Sequence, residues 1–293
     1  MICRDEEERE FGDKVDMNKT ALETIKLFHD KDDLEDFLTS DQAVFWRERG
    51  HEFQRLTVDE CRGLEPMLAP ADADHGVVDN AGFVGGVLCG QGLDSSGDVH
   101  LYTSNIAQLA RDQGVSVECG VRVRGLLLHN HTVTGVETDQ GHIVPADVVI
   151  IAAGVRSPHL VTQHGVQCPV YPLRGHLVTL TPAPGQRMVR RNIYSPRHGL
   201  LSPLAPDKLR LSGFVEVNTT IIILTLIFIH VKAVGYQAAP DEDKGNMLVD
   251  KFLGVLEPDS VDTSHPSHHS CMRPVSGDDV PIIGHTWVTT ILL

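Results

Sequence analysis

Arg273 stands beside Pro274 in the stretch CMRPVSGDDVPIIG, Cys271 to Gly284. An arginine guanidinium keeps its charge at every accessible pH, and its planar fork suits a bidentate carboxylate partner. Pro274 stiffens the adjoining backbone, and Ser276-Gly277-Asp278-Asp279 reads as a turn. The chemistry on offer is the gripping of an organic anion. The same stretch, taken alone, also fits a surface loop with a solvated arginine. Asp278 and Asp279 read as turn residues, Asp278 bonding backbone amides, rather than as an acid–base pair. A second candidate is Ala152-Ala153-Gly154, which ends the apolar run ADVVIIAAG. Small residues at the carboxyl end of such a strand let a ligand approach the backbone, although a tight strand-to-helix turn would also need a glycine. His265, His268, His269 and Cys271 invite a metal, but their spacing is irregular and SHPSHHSC has the composition of a solvated loop. No metal site is expected.

These residues need elements to hold them. ADVVIIAAG reads as a strand buried on both faces of a parallel sheet, and SPHLVTQHG as a helix with Pro158 in its first turn. Before it come VSVECG, expected as a strand, and three short strands of an antiparallel meander in VRVRGLLLHN, TVTGVETDQ and HIVPA. A helix from DSSGDVHLYTSNIAQLARDQG leads in, with Asp98 as its cap, Leu101, Tyr102, Ile106 and Leu109 as its apolar stripe, and Gly114 as its terminator. Helix, strand, meander, strand, small residues, helix is the order of a nucleotide-binding sheet carrying an insertion.

Upstream, ETIKLFHDKDDLEDFLTSDQAVFWRERG reads as a strand and one helix capped by Asp30 or Asp32. Leu34, Phe37, Leu38, Val44 and Phe45 form its apolar face. LTVDECRGLEPML is a short helix with Thr57 and Glu60 in a capping box, stopping before Pro66. The glycine-rich segment from Asp74 to Gly90 reads as strand and turn. Downstream, QCPVYPLRGHLVTLTP is a strand, GLLSPLAPDKLRLSGFVEV a hairpin turning near Pro206-Asp207, and DKGNMLVDKFLGVLEP an amphipathic helix. Strands and a helix after a doubly wound unit point to a second domain.

Lys+Arg 25 against Asp+Glu 40 gives a formal charge of −15, which repels phosphate backbones and argues against nucleic-acid partners. Six scattered cysteines without a CxxC, behind a start lacking an apolar signal region, fit a reducing compartment, so an intracellular and preferably cytoplasmic place is expected. The run from Val217 to Val231 is too short to span a bilayer as a helix, so no transmembrane segment is expected there. It reads as a buried strand or an insertion.

In order and spacing, LTVDECRGLEPML, GDVHLYTSNIAQLARDQGVSVECGVRV, ADVVIIAAGVRS, YPLRGHLVTL, LRLSGFVEV and CMRPVSGDDVPIIG resemble the FAD-dependent oxidoreductases of the D-amino-acid oxidase superfamily. The branch most similar is that of the D-amino-acid dehydrogenases (small-subunit type) and the glycine/sarcosine oxidases. The resemblance covers roughly residues 22–217 and 233–285. It implies a mixed α/β fold: an incomplete FAD-binding Rossmann-like domain with an inserted β-meander, plus a substrate domain on a mixed or antiparallel sheet. It further implies FAD as cofactor, an amino-acid substrate and an electron acceptor, quinone or oxygen, that sequence leaves open. Arg273 would hold the substrate carboxylate and so aim the Cα–H at the flavin. Val121 would contact the adenine through its backbone, and Ala152, Ala153 and Gly154 would lie against the dinucleotide.

The resemblance also sets out a domain plan. It gives an acidic leader over 1–20, substrate-domain parts over 21–96 and 166–272, an insertion at 218–231, and FAD-domain parts over 97–165 and 273–293. Three departures stand against it. No GxGxxG in a strand–turn–helix context occurs in the sequence, the glycine-rich segment that closes the family near the flavin is missing after GHTWVTTILL, and 218–231 interrupts the expected path. The expectation is a chain truncated at both ends relative to the family. Leu200 falls where the oxidase branch often has a substrate-facing aromatic. Three activities therefore stand open: C–N oxidation of a D-amino acid, a glycine/sarcosine-type amine oxidation, and a non-catalytic copy of the fold.

Overall fold

The computed structural model describes residues 19–21, 23–69, 82–90, 96–186, 188–217, 239–257, 259–278, 280–286 and 291–292. The segment 218–231 and Asp279 lie outside the described residues. The chain divides into two compact units: Met1–Val115, His176–Phe214 and Ala239–His269 form the first, and Ser116–Gly175, Val215–Ala238 and Ser270–Leu293 the second.

The first unit begins with β1 (Lys19–Ala21) and β2 (Thr24–Phe28), then α1 (Lys31–Thr39) and α2 (Asp41–Arg47). Where the sequence reads as one helix there are two, because Ser40 serves both ends. Its hydroxyl donates to the Phe37 carbonyl at 2.8 Å and accepts from the Ala43 amide at 3.2 Å. Asp30 caps α1 through the amides of Asp32 and Asp33. The break rotates the second helix, so Leu34 is buried and Phe37 and Leu38 pack beside it, whereas Val44 and Phe45 face solvent. Next come β3 (Phe53–Leu56), α3 (Val58–Leu64) with both halves of the Thr57–Glu60 capping box formed, β4 (Gly85–Cys89), β5 (Ser96–Gly97) and α4 (Val99–Asp112). Asp98 caps α4, and Gly114 follows it at φ 88. The apolar stripe of α4 is only half-buried, with no residue fully covered.

Later segments add β10 (Val170–Pro182), β11 (Asn192–Ser195), the hairpin β12 (Gly199–Ala205) and β13 (Lys208–Val217), α6 (Glu242–Leu253) and β14 (Val261–Ser276). An eight-stranded sheet runs β14-β10-β13-β12-β11-β2-β4-β3, mostly antiparallel where the register is defined but with β11 parallel to β2. The ends of β10, β13 and β14 belong to the second unit. Period-2 alternation sends Ile25, Leu27, Ile193, Leu201, Leu209 and Leu211 to one face, where they bury Leu248 and Phe252 of α6. Each such side chain contributes about 1.5–3 kcal/mol of burial.

SHPSHHSC, expected as a loop, is the middle of β14. Pro266 is tolerated because β14 is the terminal strand of the sheet order, where a missing ladder donor costs least. Gly245 lets α6 pass this strand, since a Cβ there would fall 1.9 Å from His268 Nδ1. Gly245→Ala gains about 1 kcal/mol of helix propensity but overpacks by about 1–3 kcal/mol. A net loss of stability is expected by urea denaturation, relieved when His268→Ala is added. An unchanged midpoint in the single variant would show that the ring moves aside freely.

In the second unit, β6 (Val123–His129), β7 (Thr132–Thr138) and β8 (Ile143–Pro145) form the expected meander. The expected strand at VSVECG is not formed: 115–119 is irregular. ADVVIIAAG contributes only β9 (Val149–Ile150), which pairs in parallel with β15 (Ile291–Leu292). It is not buried on both faces, since Ile150 is 67% exposed. A strand with one partner among the described residues has one edge and much of its surface uncovered. Leu126, Val133, Ile151, Val161 and Val166 form this unit's core beneath the meander and the short helix α5 (Ser157–Val161).

Candidate active site at the strand crossover

Arg273 lies near the end of β14, is exposed, and is in the lining of neither of this unit's two cavities. Its Nε sits 3.9 Å from where a Cβ of Gly175 in β10 would be, with Cys271 Sγ at 3.7 Å from the same point. The next residue, Pro274, is part of the wall of a cavity of about 460 Å³. Pro274, Val275 and Ser276 form one side of that cavity, and Ile151, Ala152, Gly154 and Ser157 of the crossover another. Gly154 has φ 55, and in the direction of its absent side chain the first atom is Pro274 Cγ at 4.0 Å. Ala152 and Gly154 of one candidate stretch and Pro274 of the other thus line one cavity, whereas Ala153 and Arg273 do not line it. The 151–155 crossover runs from β9 through a 3-10 turn at Gly154–Arg156 into α5, with Pro158 in the first turn.

The turn after Arg273 is held by its own residues. Asp278 Oδ1 accepts from the Val280 amide at 3.2 Å, and Ser276 Oγ donates to the Val280 carbonyl at 2.8 Å. The Val280 amide, helped by Ser276, keeps the Asp278 carboxyl below the ordinary aspartate range. That charge fixes Val280, Pro281 and Ile282 on the cavity wall. Asp278 is therefore a scaffold for the turn.

Val121 lies in the link just before β6, 46% exposed, and lines neither cavity of this unit. Its neighbours Arg122, Val123 and Arg124 line a second cavity of about 600 Å³, together with Ala152, Ala153, Arg156 and His159. The basic members were not singled out from the sequence. The available signal was the pair of arginines two apart in VRVRG, in a strongly acidic chain. Ion pairing elsewhere in this unit is buried: Arg174 Nη1 lies 3.7 Å from Glu216 Oε2.

In the first unit, Leu200 is half-buried on β12 and lies in register with Tyr194 on β11, which in turn pairs with Lys26 on β2. An aromatic ring is thus present one strand from Leu200. The Lys26 ammonium lies 3.7 Å from the centroid of the Phe37 ring and 5.8 Å from that of Tyr194, and burial pushes its pKa down.

A mixed α/β chain with a cavity at a crossover of small residues has the form of a dinucleotide-binding fold. Residues 5–292 match the family model described as FAD dependent oxidoreductase, and the chain belongs to that family. Its cofactor is FAD. The D-amino acid dehydrogenase of Xanthobacter autotrophicus is 29% identical over 270 residues, 92% of this chain and 57% of the relative. That of Paramagnetospirillum magneticum is 27% identical over 247 residues, 82% of this chain and 52% of the relative. The chain thus spans a little over half the length of these curated relatives.

Among solved structures, glycine oxidase from Geobacillus kaustophilus superposes with a TM-score of 0.75 at 18% identity, covering 97% of this chain and 68% of that one. L-amino acid deaminase from Proteus vulgaris gives 0.74 at 15%, covering 97% and 72%. These two likenesses establish the fold. Among the described residues no helix is long and apolar enough to cross a membrane.

Proposed function

We propose that this chain takes part in oxidising the C–N bond of a D-amino acid, with FAD held at the crossover cavity. The observation that supports the reading is the shared wall: Pro274, next to Arg273, lines the same cavity as Gly154, and its Cγ lies 4.0 Å from where a Gly154 Cβ would be. Ala152 carries nothing beyond Cβ and Gly154 nothing at all, so this wall is a cradle that larger side chains would fill. It fits the cofactor, which when bound supplies the acceptor for the substrate's hydride. Ala152 and Gly154 would hold it through backbone, and the Val121 backbone would contact the adenine. Arg273 pairs with the substrate carboxylate and so restricts the Cα–H to one orientation. The substrate loses two electrons and two protons and becomes an imine. Water then replaces nitrogen to give a keto acid and ammonia.

Protein loaded with FAD and desalted is expected to keep the flavin absorbance bands and to reduce an artificial dye with D-amino acids. L-enantiomers, glycine and sarcosine are expected to be poorer substrates. Equal rates with both enantiomers, or faster turnover of glycine or sarcosine, would contradict the proposed specificity. Loss of all flavin on desalting would favour a non-catalytic copy of the fold instead.

A further inference from the structure

The second cavity differs in character from the first although they share the wall residues Ile151 and Ala152. Arg122, Arg124, Arg156 and His159 line it, and no aspartate or glutamate does. That is notable in a chain with a formal charge of −15. Its remaining lining is apolar, with Leu126, Val136 and Ile151 among it. A cavity with several cations and an apolar floor selects an anion that carries an apolar or aromatic body. Phosphate oxygens are the acceptors best matched to guanidinium groups.

The first cavity, by contrast, has no cationic residue in its lining. A ligand lying across Ala152 would therefore place a neutral portion in one cavity and an anionic portion in the other. FAD is elongated and carries its diphosphate between two ring systems, which meets that demand. Carboxylates on neighbouring elements stay outside the lining. Glu137 is on β7, and Asp139 follows it and donates its amide to the Arg122 carbonyl at 2.9 Å.

We infer that Arg122, Arg124 and Arg156 bind the diphosphate of the dinucleotide. His159 adds a donor at the same cavity. This rests on the proposed FAD site and goes beyond it by naming the phosphate ligands.

The test compares FAD, ADP and riboflavin, the last lacking phosphate, on wild type and on Arg122→Gln, Arg124→Gln and the double variant. Binding is read by flavin fluorescence and, for ADP, by calorimetry. Wild type is expected to bind FAD and ADP, more weakly as salt rises. Each substitution is expected to weaken both by about tenfold or more, leaving riboflavin unchanged. Arg122 and Arg124 are exposed, so circular dichroism of the variants should match wild type. FAD and ADP bound equally by the double variant would overturn the inference while leaving the proposed function standing. ADP binding that depends on the arginines, without amino-acid-driven dye reduction, would uphold the inference and count against the function. Wild type binding neither FAD nor ADP would overturn both.

Discussion

Arg273→Ala is expected to lower kcat/KM for the amino acid by roughly thirtyfold to a few thousandfold. The basis is that removing one partner of a desolvated charge pair costs about 2–5 kcal/mol. The side chain is exposed, and under the proposed function a substrate covering it would shield the pair and strengthen the pairing. Loss of a group that both binds and orients should raise KM and lower kcat together. Arg273→Lys keeps the charge without the planar fork, so partial recovery is expected. Flavin content should not change in either variant, because the wall of the proposed FAD cavity is made by Pro274 and the crossover residues and not by Arg273. A drop in activity that tracked flavin loss would place the defect in cofactor binding instead. Wild-type kinetics in Arg273→Ala would remove the clamp altogether.

The second large effect is structural. Arg191 in the first unit binds Glu23 Oε2 through Nε at 2.5 Å, and through Nη1 it reaches Glu65 Oε1 at 3.2 Å and the Leu64 carbonyl at 3.3 Å. Glu65, at the end of α3, is 1% exposed and also accepts from the Arg190 amide at 3.0 Å. Arg191→Met leaves a buried carboxylate with little compensation, a loss of about 3–5 kcal/mol. The thermal midpoint should drop by roughly 10 °C.

Burial raises the Glu65 pKa above the ordinary glutamate range, against the Arg190 amide and the Arg191 guanidinium. A folded pKa above the unfolded one means that the folded chain holds more protons between the two values. This contribution is therefore full below the unfolded pKa and is lost as pH rises through the folded one. Without Arg191 the carboxyl rises further. The variant should lie nearest wild type at acid pH and furthest from it near neutrality. A difference in stability that did not vary with pH would show that Glu65 keeps its charge state regardless.

Local signals carried much of the fold. Caps at Asp98, Thr57 and Asp30 are read directly from residue type, because a short polar side chain and the amides it binds are sequence neighbours. The meander and the hairpin at Pro206-Asp207 are likewise local pairings closed by turns. Failures arose where a distant partner decides. β14 forms because it lies alongside β10, and nothing in SHPSHHSC announces that neighbour. VSVECG has strand composition yet stays irregular, and ADVVIIAAG keeps only two residues in a strand. Apolar content alone does not specify how many partners a strand will have.

One wall of the first cavity was legible in part. Arg273-Pro274 and Ala152–Gly154 were separate stretches of unusual residue type, and the fold sets Pro274 and Gly154 on one cavity. Arg122, just before β6, and Arg124, on it, are not singled out by sequence because two exposed arginines look like ordinary solubilising charge. Only the cavity gives them a shared direction.

Under the proposed function, residue 273 pins an anionic substrate beside the flavin. Titration of FAD-loaded protein with a simple carboxylic acid that lacks the amino group tests it without turnover, by following the flavin absorption bands. Saturable perturbation in wild type, absent from Arg273→Ala carrying the same flavin, is the predicted result. The same perturbation with the same midpoint in both proteins would contradict it.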